Sequence, residues 1–153
     1  MNRVTVMGVG NDLLRDEGIG VHVIKAMEGQ QLPDGVKIVN GWVAGIDLLQ
    51  EIQNTERLII IDAIDAGSRP GTVYRFRAGE VDVMINRHKT SLHQVDLFET
   101  LKLAKFLGGY PETVIIGIQP RDIVWGTELS PLLASLIPRI LDVVRDEIRT
   151  FRS

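Results

Sequence analysis

The chain has 153 residues, 44% of them apolar and 24% charged, and its 17 Lys and Arg against 20 Asp and Glu give a net charge of −3. This length suits a single domain over residues 1–153 with a core of its own, and the charge balance lacks the basic face of a nucleic-acid binder. Cysteine is absent, which excludes disulfides, thiolate metal sites, iron–sulfur clusters and a cysteine nucleophile.

Arg3 to Val9 reads as a buried strand ending in glycines, and it reaches Asp12 too soon for a secretory leader. No window approaches the roughly 20 apolar residues of a membrane span, so a cytoplasmic protein with neither membrane nor nucleic acid as partner is expected. From Gly18, the apolar positions Ile19, Val23, Ile24 and Met27 follow helical spacing, with Gly29 as a stop. Gly35 to Val39 is a second short strand. Ala44 to Gln53, carrying Ile46, Leu48, Leu49 and Ile52, is a short helix. Arg57 to Ile61 is apolar through its centre, as in a strand covered on both faces. Gly71 to Phe76 suits an edge strand, and residues 77–90 show no clear period.

Ser91 and Gln94 have the spacing of a capping box. The helix they open passes through Leu97, Leu101, Ala104 and Phe106 to Gly108-Gly109. Thr113 to Ile118 is the last central strand. Ser130-Pro131 caps a closing helix that runs to about Phe151, which Pro138 is expected to kink or divide. Strand and helix alternate almost throughout. The predicted fold is therefore α/β: three layers, with a mostly parallel, twisted sheet of about five strands and helices on both faces.

Gly8-Val-Gly10, after the first strand, invites a dinucleotide-binding reading. The third glycine position of G-x-G-x-x-G holds Leu13, however, and the second strand ends in Asn40 rather than an acid. A tight turn accounts better for the glycines. Beyond it, Asp16-Glu17 has the ordinary reading of a helix cap and a dipole complement. Asp62 follows directly on a buried strand, at the sheet edge where open α/β folds bind ligands; Asp65 is its decoy. His93 falls in the first turn of its helix, where the dipole disfavours protonation, and neutral imidazole is the metal-binding form. His88, between Arg87 and Lys89, looks like a solvated loop residue, and His22 falls off the apolar stripe of the first helix. Glu17 and Asp62 would share one sheet edge that the loop before His93 can reach. Two carboxylates and an imidazole suit zinc or nickel, with positions left for water or substrate. With no H-E-x-x-H helix and no G-x-S-x-G elbow, the chemistry that remains is metal-assisted.

Gly8-Val-Gly-Asn-Asp-Leu-Leu-Arg-Asp-Glu-Gly-Ile-Gly20 resembles the N-terminal signature of the hydrogenase maturation endopeptidases, G-x-G-N-x-L-x-x-D-[DE]-x-x-G. Ile61-Asp-Ala63 and Ser91-Leu-His-Gln94 match that family's second and third segments in order and spacing. The resemblance implies an endopeptidase that removes the C-terminal extension of a nickel–iron hydrogenase large-subunit precursor after nickel insertion. It implies Glu17, Asp62 and His93 as catalytic and metal-binding residues, and the precursor as partner. Nickel would come with the substrate, so that the isolated protein is empty or holds another divalent metal. Glu17 and Asp62 both stand open as the general base. The sequence departs from the family at Asn40-Gly-Trp-Val-Ala-Gly45, where the family carries Asp followed by Gly-Gly-Thr-x-Gly; Trp42 takes a glycine's place. That departure motivates an alternative, a binding module or chaperone for the precursor that does not cleave.

Overall fold

Runs rich in Val and Ile form β1 (Val4–Val9), β2 (Val36–Gly41), β3 (Arg57–Ala63), β4 (Val73–Arg77) and β5 (Glu112–Ile118). The structure, a computed structural model, describes residues 3–41, 46–77, 80, 92–109 and 111–152. Its helices are α1 (Ile19–Glu28), α2 (Ile46–Gln53), α3 (Leu92–Phe106) and α4 (Pro131–Arg152), with a 3₁₀ turn over Arg15–Gly18 leading into α1. Ala44, His88 and Ser91, all part of the sequence expectations, lie outside the described residues.

The strands form one sheet in the order β2-β1-β3-β5-β4. All neighbours are parallel except β4, which runs antiparallel to β5 at the edge. The central strands β1, β3 and β5 are buried almost throughout, because helices cover both faces. Alternate side chains therefore enter two different cores. Val6, Ile59, Ile61 and Ile116 pack with Ile19 and Val23 of α1 and Ile140 and Val144 of α4. Met7, Leu58, Ile60 and Ile115 pack on the other face with Leu48 and Ile52 of α2 and Leu97 and Leu101 of α3. This is the expected three-layer α/β fold.

After β1 the chain steps outward to β2, then returns past β1 to lay down β3 on the other side. The gap between the carboxyl ends of β1 and β3 is thus a topological switch point, the place where open α/β sheets form a crevice.

Pro138 does not divide α4, which runs unbroken from Pro131 to Arg152. Both Pro138 and Ala134, whose carbonyl loses its partner, lie on the exposed side of the helix. Water can satisfy that carbonyl, so the missing N–H is tolerated. Among the described residues, no helix is long and apolar enough to cross a membrane.

Candidate active site

The switch point is shaped first by glycines. Gly10 leaves β1 with φ +144°, and a Cβ on it would collide with the carbonyl oxygen of Glu17. Gly20 brings the start of α1 onto the sheet. A Cβ there would strike the Ile61 carbonyl oxygen and lie 2.6 Å from that of Val9. Backbone packs on backbone at both positions, so the room that a pyrophosphate would need at Gly10 is filled by the protein itself. The tight-turn reading holds.

This packing delivers Glu17 to the carboxyl end of β3, where Asp62 stands. Asp62 is fully buried and Glu17 nearly so. The two expected carboxylates are therefore brought to one rim. His93 lies in the first turn of α3. That helix leads through a short connection into the amino end of β5, so its own start is directed toward the same rim. The side chain of His93 lies outside the described residues. Among the described residues, no three His, Asp or Glu side chains form a metal-binding group.

Asp16 corrects the reading of the acidic pair as a local cap and dipole complement. Neither the 3₁₀ turn nor α1 has a side-chain cap. Asp16 is instead fully buried and reaches across the molecule. Its Oδ2 accepts from the backbone N–H of Arg121 at 2.9 Å, from that of Asp122 at 2.8 Å and from Ser130 Oγ at 2.8 Å. Its Oδ1 accepts from the Ser130 N–H at 2.7 Å. Ser130 Oγ in turn accepts from the Leu133 N–H at the start of α4, as its sequence position predicts. Backbone bonds reinforce the clamp: Arg15 N–H donates to the Gly126 carbonyl, Gly126 N–H to that of Leu13, and Asp16 N–H to that of Asp122. The turn that carries Glu17 is thereby fixed to residues 121–130.

On the other side of Asp62, Asp65 is a turn former. Its Oδ1 accepts from the Gly67 N–H at 3.2 Å and from Gln119 Nε2 at 3.0 Å. Gln119 is a positioning residue that the sequence reading missed. Its Oε1 accepts from the N–H groups of Ala66 and Ser68, at 2.9 and 3.2 Å, and so pins the loop that follows β3. Those partners lie 51 to 54 residues away along the chain, and no local pattern announces them.

A family model described as hydrogenase maturation protease matches residues 21–147. The chain belongs to the hydrogenase maturation protease family. The protease is 37% identical over 150 residues to the hydrogenase 2 maturation protease of Escherichia coli (strain K12), covering 96% of this chain and 91% of that one. It is 38% identical over 154 positions to the hydrogenase expression/formation protein HupD of Rhizobium leguminosarum bv. viciae, covering 99% of this chain and 75% of that one. Among solved structures it is similar to the hydrogenase maturating endopeptidase HybD from E. coli, with a TM-score of 0.89 and 36% identity over 97% of this chain and 93% of that one. The protease is thus an endopeptidase, a hydrolase, on the fold expected for it.

Two further features of the protease bear on the rim. Asn40 pairs with Gly8 near the end of β2 and is exposed, so the residue at which the sequence departs from the resemblance borders the same sheet edge. Trp42 lies outside the described residues. His22, off the apolar stripe as expected, is half-buried in α1. Burial first, and then the Lys25 charge, lower its pKa, against Asp12 and a hydrogen bond with the Thr127 backbone.

Proposed function

We propose that the protease cleaves one peptide bond in the large-subunit precursor of a nickel–iron hydrogenase, in the cytoplasm, removing a C-terminal extension once nickel is in place. The observation that carries this reading is the burial of Glu17 and Asp62 at a single switch point. Together with the imidazole of His93 they make a donor set of the kind that binds nickel, at the hard-to-intermediate end of ligand preference. The ion would arrive on the substrate and serve there as the feature recognised. Nickel bound there would polarise a carbonyl or lower the pKa of a water. Glu17 and Asp62 are the groups placed to accept a proton, and Asp62, on a rigid central strand, is the better fixed of the two.

The test is a processing assay read by mass. Wild-type protease should shorten nickel-loaded precursor by the mass of its extension. Asp62→Ala should remain folded by circular dichroism and leave the precursor intact. Processing by the variant at the wild-type rate would remove Asp62 from the site. Precursor bound but uncut by the wild-type chain would favour the non-cleaving binding role.

A further inference from the structure

The turn that carries Glu17 is bordered by apolar side chains that the fold leaves in solvent. Leu13, Ile123, Val124 and Trp125 are all exposed, Trp125 to 79%. Single exposed apolar residues are ordinary, but a contiguous group calls for a reason. These four belong to two segments clamped together, with Leu14 and Gly126 forming a parallel bridge and Gly126 N–H donating to the Leu13 carbonyl at 2.9 Å. Asp16 braces the second segment from behind, through the N–H groups of Arg121 and Asp122. Trp125 therefore stands on a held loop, so little further ordering is required when a partner covers it. Tryptophan is also enriched among the residues that anchor interfaces.

We infer that Leu13, Ile123, Val124 and Trp125 form the seat for an apolar stretch of the precursor polypeptide beside its scissile bond. This rests on the precursor-processing reading above and adds where the substrate is gripped. Continuity with the rim favours this occupant. Leu13 lies on the turn that carries Glu17, and the segment of Ile123, Val124 and Trp125 is hydrogen-bonded to that turn, so a chain lying on them is led toward the carboxylates. A second exposed apolar group among the described residues, Leu103, Phe106 and Leu107, stands where α3 leads into the amino end of β5, at the far end of the sheet from the site.

The experiment uses the full chain and nickel-loaded precursor. Oxidative footprinting read by mass spectrometry should label Trp125 in the free protease and show it protected in the complex. Trp125→Ala should raise KM about tenfold or more while kcat stays within about twofold, and Phe106→Ala should change neither. Equal labelling of Trp125 with and without bound precursor, or an unchanged KM, overturns the seat while leaving the processing activity standing. Protection that grows with protease concentration alone, with a dimer in sedimentation, assigns the patch to a second copy and also overturns it. A wild-type chain that binds precursor with Trp125 protected but does not cut supports the seat and overturns the processing reading. One that neither binds nor cuts overturns both.

Discussion

Around the site, Asp16 is braced on both carboxylate oxygens: out of solvent, it accepts three backbone N–H groups and one hydroxyl. Hydrogen bonds to a charged group contribute about 1.5–3 kcal/mol each, and a buried donor left unmatched costs a comparable amount. Asp16→Asn keeps the shape but turns an NH2 toward one set of donors. The expected loss is about 3 kcal/mol, or a fall in Tm of roughly 6–12 °C for a chain of this size, to be read by thermal melting; a shift within about 2 °C would mean that the clamp contributes little. His22 offers a pH test. Its lowered folded-state pKa means that the unfolded chain takes up the proton more readily. The stability it contributes is complete above the unfolded value of about 6.5 and is lost as pH falls from there toward the folded value. Relative to His22→Gln, the wild type should lose more Tm between roughly pH 7.5 and pH 5.5. Parallel curves would place the acid sensitivity elsewhere. Of these two residues, the sequence discloses the place of His22 off the apolar stripe, but not the task of Asp16, whose partners lie 105 to 114 positions downstream.

At the scale of elements, the contact of α1 with β3 sets the position of Glu17, and it depends on an absent side chain. Gly20 in a helix reads from sequence as a weak helix former; its reason is the carbonyl oxygens of Ile61 and Val9 pressed against it. Gly20→Ala must push a helix off two central strands, at an overpacking cost of about 1–3 kcal/mol, and should reduce processing by displacing the Glu17 turn. Gly29→Ala, where the nearest atom to an added Cβ is 3.9 Å away, should change neither stability nor processing measurably. Equal effects of the two substitutions would show that α1 tolerates the shift. The same divide between local and distant causes separates what could be read of α4. Its serine cap and apolar stripe are periodic signals along the sequence, whereas the harmlessness of Pro138 depends on which side of the helix meets water.

Over the whole molecule, the alternation of strand and helix discloses three layers and a mostly parallel sheet, because each βα unit buries its apolar face in the same way. It does not disclose strand order. β5 enters between β3 and β4, although β4 precedes it in the chain, and such pairings arise from contacts between distant segments. The place of Asp62 at the rim was legible because it comes at the end of an otherwise apolar run, although the strand itself continues through it to Ala63. The meeting of that rim with the Glu17 turn at a switch point follows from the strand order.

The Asp16 clamp also has a bearing on time. Its donors, Arg121, Asp122 and Ser130, are synthesised 105 to 114 residues after it, an interval of roughly 5–25 s at ordinary translation rates. By the later part of that interval the nascent chain contains Glu17 and Asp62, yet it still lacks the groups that hold the Glu17 turn in place. The turn that carries Glu17 is braced only once residues 121–130 have joined it. The brace on the Glu17 turn is therefore among the last parts of the fold that the growing chain can complete.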